Sequence, residues 1–304
     1  MQILSRSAIK RIKKHWQLYL LILFPMMYII LFHYIPMYGV QIAFKDFNMA
    51  EGIWKSPWIG LEHFKEFIGS YNFLNILVNT LSLSVYSLVA GFPFPIILAI
   101  SLNECMNKKF KKFVQTVTYA PYFISTVILC SMLIQLLSIR GNINSILEMI
   151  GLDRINFMAE SSWFSSIYVW SGVWQKTGYL SILYLAALTS IDPTLYEASI
   201  IDGASIMQKI WNIDIPALLP ITVILLILNI GSIMNVGFDK VYLLQNPLNQ
   251  RVSEIIQTYV YKMGIQRANF DFSAAVGLFN SIINFILLCT ANKISKMVSG
   301  TSLW

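Results

Sequence analysis

Six stretches of this 304-residue chain are each long and apolar enough to cross a lipid bilayer, and nothing else in the sequence constrains the fold as strongly. They cover about residues 17–36, 75–102, 113–137, 164–189, 217–238 and 271–292, each bounded by charged or turn-forming residues. A bilayer core about 30 Å thick takes roughly 20 mostly apolar residues as a helix, and lipid tolerates only segments that satisfy their own backbone groups. The expectation is an all-α membrane protein with six transmembrane helices. Composition agrees, because only 12% of residues are charged against 56% hydrophobic. That is about half the charge of a soluble domain and too little to cover a water-facing surface. Pro25 in the first run and the Pro93/Pro95 pair in the second mark bends, since neighbouring helices can re-satisfy the carbonyls that proline frees.

The basic residues set the orientation. Arg6, Lys10, Arg11, Lys13 and Lys14 fill the N-terminal stub 1–16 without an acid, and Lys108, Lys109, Lys111 and Lys112 fill the loop between the second and third runs. The positive-inside rule makes both cytoplasmic, and six spans then put the C-terminal stretch 293–304, with Lys293 and Lys296, on the same side. A basic stub before an apolar run resembles a signal peptide in outline. The run at 17–36 is longer than such a core, however, and Phe32-His33-Tyr34-Ile35-Pro36 lacks the small residues of a cleavage site, so an uncleaved first helix is expected. The extracytoplasmic loop 37–74 carries Trp54, Trp58, Leu61, Phe64, Phe67 and Ile68, which reads as a helix lying in the membrane interface. Trp16, Trp163 and Trp304 read as interfacial anchors.

Several kinds of chemistry are excluded. The net charge of +7 lies in the flanks of the spans and not in one patch, so no nucleic-acid partner is expected. Cys105, Cys130 and Cys289 form no CxxC pair, and His15, His33 and His63 lie far apart, so no metal site is expected. No glycine is followed by lysine, which removes the usual phosphate-cradling loop of an ATPase. A membrane enzyme would need clustered acids, bases or metal ligands, and none is visible. An ion-coupled secondary sugar carrier is the alternative class, but such carriers use intramembrane acids, and Asp239 and Asp271 sit only at span ends.

The cytoplasmic loop between the fourth and fifth runs, residues 191–220, breaks the pattern. Asp192, Glu197, Asp202 and Asp214 outweigh its single Lys209. Asp192 before Pro193 makes an N-cap with proline at the first helical position, and Gly203 suits a left-handed stop. Ser205 with Gln208 three residues on is a capping box for a second short helix, and Pro216 and Pro220 open the next span. Leu195, Ala198 and Ile201 give the first helix an apolar stripe suited either to a partner protein or to this chain's own span ends.

Glu197-Ala198-Ser199, Asp202-Gly203-Ala204, Ile213 and Pro216 resemble the EAA loop of binding-protein-dependent ABC importer permeases. The match departs at Ser199, where alanine is usual, and at Ile210, where an aromatic is common. Across most of the chain, stretches such as Tyr34-Ile35-Pro36-Met37-Tyr38-Gly39, Phe92-Pro93-Phe94-Pro95 and Tyr119-Ala120-Pro121-Tyr122 resemble the oligosaccharide-importing branch. The resemblance implies a type I importer permease fold, with a five-helix core over 75–292 behind the first helix. It implies a bacterial plasma-membrane location, a second permease, two ATPase subunits carrying ATP and Mg, and an extracytoplasmic solute-binding protein. Glu197, Ala198, Ser199, Asp202, Gly203, Ala204, Ile213 and Pro216 would then couple to an ATPase.

A sugar path needs amide, hydroxyl and aromatic groups on inner helix faces, and polar stripes facing lipid would be costly. Asn79 and Tyr86 on the second run, Trp170 and Trp174 on the fourth, Asn229 on the fifth and Asn280 and Asn284 on the sixth form such stripes, and Tyr122 and Asn235 join the candidate path. Helix-packing glue is the plainer explanation for any one of them. Lys176, near the middle of the fourth run, is the anomaly, because it needs a counter-charge or a route to water. A carboxylate on a second permease is one candidate partner.

Overall fold

The computed structural model describes residues 14–300 together with 302 and 303. Arg6, Lys10, Arg11, Lys13 and the expected anchor Trp304 therefore lie outside the described residues. Among the described residues every regular element is helical, with one isolated antiparallel bridge between Lys45 and Trp58. In chain order the main helices are α1 (Trp16–Phe44), α2 (Glu62–Gly69), α3 (Phe73–Glu104), α4 (Lys108–Phe123), α5 (Thr126–Leu136), α6 (Asn142–Met149), α7 (Ser161–Thr189), α8 (Pro193–Ile201), α9 (Ile206–Gly231), α10 (Phe238–Leu244), α11 (Ile256–Tyr261) and α12 (Phe270–Ser299).

By length and apolar composition, α1, α3, α9 and α12 can each cross a membrane, and α4 with α5, bent by 97°, makes a fifth if the pair is one span. The fourth apolar run forms α7, 29 residues long but without a stretch as apolar as those in α1, α3, α9 and α12. Its composition follows from its position. Packed against both halves of α3, α4 and α9, α7 is the central helix, and its Ser171, Gln175 and Ser181 are buried among protein neighbours.

Proline chemistry accounts for the bends. Helix α3 is interrupted at Phe92, immediately before Pro93. The α4–α5 corner follows Pro121, and Ser125 restarts the helix by accepting the Ile128 N–H through its side chain at 3.3 Å. Pro36 and Pro216 each follow a single widened turn, Ile30–Tyr34 in α1 and Ile210–Asp214 in α9. Proline neither donates to the carbonyl four residues back nor leaves room for it, and a widened turn relieves both problems without ending the helix. This corrects one local expectation: the Ser205–Gln208 capping box is present, but the helix it starts runs into the next span as the first turn of α9.

The apolar core falls into three clusters. One packs Leu83 and Phe164 with Val241, Leu244 and Ile255; a second packs Phe67, Ile76 and Met234 with Phe272 and Val276; a third joins Ala99 to Tyr184, Leu188 and Leu218 at the α8 end of the bundle. The aromatic loop before α3 is partly helical and leaves Trp54, Trp58, Leu61 and Ile68 exposed. It forms a short turn at Gly52–Lys55 and then α2, which docks on α12. Phe67 is buried against Phe73, Tyr259, Phe272 and Phe279, and that burial contributes about 2 kcal/mol. Every residue of α1 from Trp16 to Tyr38 is exposed, so the chain itself covers none of this stretch.

Candidate functional site

Helix α8 is built as the local rules require. Asp192 accepts the Thr194 backbone N–H at 2.9 Å, which holds its carboxyl below the ordinary aspartate range, and Pro193 opens the first turn. Gly203 sits at φ +73°, a left-handed stop that L side chains resist, and Ala204 N–H donates to the Ser199 carbonyl at 2.9 Å to close the helix end. The helix touches the bundle chiefly through Tyr196 and Ser199, which are half-buried, whereas Leu195, Ile200 and Ile201 are exposed, Ile201 by 85%. Glu197, Ala198, Asp202 and Gly203 are also exposed, and neither Glu197 nor Asp202 forms an ion pair among the described residues. Ile213 is half-buried and Pro216 exposed on the first turns of α9.

What anchors this end was not singled out from the sequence. Tyr196 Oη donates to Asp214 Oδ1 at 2.5 Å and receives the Asn103 amide at 3.4 Å. Burial, then the bond to the carboxylate, pushes the Tyr196 hydroxyl well above the usual tyrosine range, so it stays a donor. Lys209 Nζ lies 2.9 Å from Glu104 Oε2. The loop is thus tied to the last turn of α3 and the first turns of α9 through five polar side chains. An aspartate two residues before Pro216, in an otherwise apolar stretch, was the available signal.

A cavity of about 270 Å³ opens between α3, α7 and the end of α9. Of the sequence-selected path residues it gathers Asn229 and Asn235, together with Lys176; Ser84, Ser87, Tyr168 and Lys240 are among its other polar lining residues. The other candidates are placed elsewhere. Asn79 donates to the backbone carbonyls of Arg251 and Glu254, while Asn284 accepts the Met234 N–H at 3.0 Å. Asn280 donates to Asn235 Oδ1 at 2.9 Å. Tyr122 stacks on Tyr179 with ring centroids 3.8 Å apart. Trp170 donates to Tyr86 Oη at 2.9 Å and meets Phe94 edge-on, and both Trp170 and Trp174 are exposed on α7.

Lys240 belongs to α10, beyond the end of the spanning helix α9. Its Nζ donates to the Tyr168 carbonyl at 2.8 Å and sits 4.8 Å from the centre of the Tyr168 ring. Burial, with the nearby charge of Lys176 adding to it, lowers its pKa to about 8.

Against known proteins, residues 67–298 match the family model described as the binding-protein-dependent transport system inner membrane component. The chain belongs to that family. It is a transport permease component, not an enzyme, and it has the type I permease fold. It is 42% identical over 291 residues to protein LplB of Bacillus subtilis strain 168, covering 95% of this chain and 91% of that one. It is 43% identical over 293 residues to the polygalacturonan/rhamnogalacturonan transport system permease protein YteP of the same organism, covering 96% and 91%. Among solved structures, a chain of a bacterial ABC transporter involved in the import of the acidic polysaccharide alginate superposes with a TM-score of 0.89 at 39% identity, over 97% of this permease and 100% of that chain. A second structure of the alginate transporter, in complex with an alginate pentasaccharide-bound periplasmic protein, matches equally well.

Proposed function

We propose that this permease is one of the membrane subunits of an ATP-driven importer of oligosaccharides or polysaccharide fragments in the bacterial plasma membrane. In this reading it crosses the membrane six times, with α7 and the bent α4–α5 pair each counting as a span, and both termini are cytoplasmic. A second permease completes the path, two ATPase subunits supply ATP and Mg, and an extracytoplasmic binding protein delivers the sugar. The permease itself alternates between access to the two sides and performs no bond chemistry.

The observation that carries the reading is the loop around α8. Its apolar residues Leu195, Ile200 and Ile201 are exposed and its acids Glu197 and Asp202 are without ion-pair partners among the described residues, yet its base is fixed to α3 and α9 by Tyr196, Asp214, Lys209 and Glu104. A helix exposed on its outer face and fixed at its root transmits movement of whatever binds it. Relatives named for polygalacturonan/rhamnogalacturonan and arabinooligosaccharide transport support the substrate class. In reconstituted transporter, Glu197→Lys and Gly203→Pro are expected to leave insertion intact and abolish the stimulation of ATP hydrolysis by loaded binding protein; normal stimulation in both variants contradicts the assignment.

A further inference from the structure

The cavity between α3, α7 and α9 holds two amines and no acid. Its lining includes Lys176 and Lys240 but no aspartate or glutamate, and neither lysine takes part in an ion pair among the described residues. Both side chains line the same cavity, so two like charges face one space. Two like charges facing one space inside a membrane protein repel and are each costly to desolvate, and such residues mark a substrate path more often than a structural role.

The lining is arranged to keep the Lys240 amine at the cavity. Tyr168 spends its hydroxyl on the Val236 carbonyl while its backbone carbonyl and ring face Nζ. On the same helix Gly172 leaves the space that a side chain would take, since a Cβ there would stand 3.3 Å from Nζ. An ammonium has three N–H donors, and the Tyr168 carbonyl takes one of them. Ser87 adds a buried hydroxyl that has no hydrogen-bond partner among the described residues and lines the same space.

We infer that this cavity is an anion subsite in which Lys176 and Lys240, with Ser87, receive the carboxylate of a uronic-acid residue as the sugar passes. The inference rests on the importer reading above and narrows its substrate from oligosaccharides in general to acidic ones. A carboxylate uses both amines at once and offsets the repulsion between them. At about 270 Å³ the space lies at the small end of ligand pockets, which suits part of a chain and not a whole oligosaccharide. The amines therefore act on successive residues of a longer substrate.

The test uses the complete transporter, with its partner permease, ATPases and binding protein, in proteoliposomes, and compares ATP-driven uptake of trigalacturonate with uptake of its methyl ester. Lys176→Met and Lys240→Met are expected to cut the ratio of acid to ester uptake by about tenfold or more each, the worth of one hydrogen bond to a charged group, while Lys→Arg at either position keeps most of it. Co-purification with the partner permease checks assembly of each variant. Equal losses on both probes, an unchanged ratio, or arginine variants that fail as the methionine variants do would overturn the inference. So would suppression of Lys176→Met by neutralising an acid on the partner permease, because that lysine would then be paired across the interface. A wild type that prefers the ester overturns the anion subsite and leaves the importer reading standing. A wild type that moves neither probe also overturns the subsite, and if its ATPase responds to no loaded binding protein the importer reading falls with it.

Discussion

The hydroxyl of Tyr196 donates to Asp214 Oδ1 at 2.5 Å, and Asp214 is fully buried with its other carboxylate oxygen unpartnered among the described residues. One residue lies on the exposed helix α8 and the other on the first turns of α9, so this bond joins the loop to the bundle. Tyr196→Phe leaves a buried carboxylate with no donor and is expected to cost about 1.5–3 kcal/mol, whereas the double change Tyr196→Phe/Asp214→Leu recovers most of it by removing the orphaned group. Thermal unfolding of the purified transporter followed by helical circular dichroism reads the difference.

Gly203 ends α8 at φ +73° with open space where a side chain would point. Backbone conformation alone therefore decides what fits. Gly203→Val is expected to cost about 1–2 kcal/mol and to weaken sugar-stimulated ATP hydrolysis, and Gly203→Asn, which tolerates the left-handed region, to retain most of it.

Lys209 and Glu104 are 2.9 Å apart with 15% and 18% of their side chains exposed. Glu104→Gln is expected to cost about 2 kcal/mol, between the values for exposed and fully buried pairs, and the exchange Glu104→Lys/Lys209→Glu to restore part of it. The same unfolding measurement with a double-mutant cycle isolates the pair.

Lys240 titrates at about 8, faced by Lys176, the Cys130 thiol and Tyr168. Because its pKa is lowered, the charged form dominates below that value and is lost as pH rises through it. If the amine attracts anionic sugar, uptake of trigalacturonate falls between pH 7 and pH 9 while uptake of the methyl ester does not. Lys176→Met removes a like charge, so the fall in its residual acid uptake moves to higher pH. Initial rates across that range at fixed ATP provide the check.

Much of this protein was legible in one dimension because lipid allows so few structures. The apolar runs located the long helices, and Asp192-Pro193, Gly203 and the Ser205–Gln208 box gave the ends of α8 by chemistry local to a few residues. What escaped depends on neighbours distant in sequence. Asn79 has the spacing of a path-lining residue, but it caps carbonyls at residues 251 and 254. Phe67 read as one more aromatic residue of its loop, and only its contacts with Phe272 and Phe279 of α12 place it in the core. Lys176 stood out alone, while Lys240, its neighbour in the cavity, looked like an ordinary loop lysine because α10 was not legible.

The central claim, that an ATPase drives this permease through the α8 loop, is tested most directly by oligosaccharide uptake into proteoliposomes holding the complete transporter and saturating binding protein, with ATP and Mg either enclosed on the ATPase side or omitted. The account predicts uptake only with ATP, no uptake with an imposed proton or sodium gradient alone, and loss of the ATP-driven component in Gly203→Pro. Uptake sustained by an ion gradient without ATP, or full ATP-driven uptake in Gly203→Pro, would contradict it.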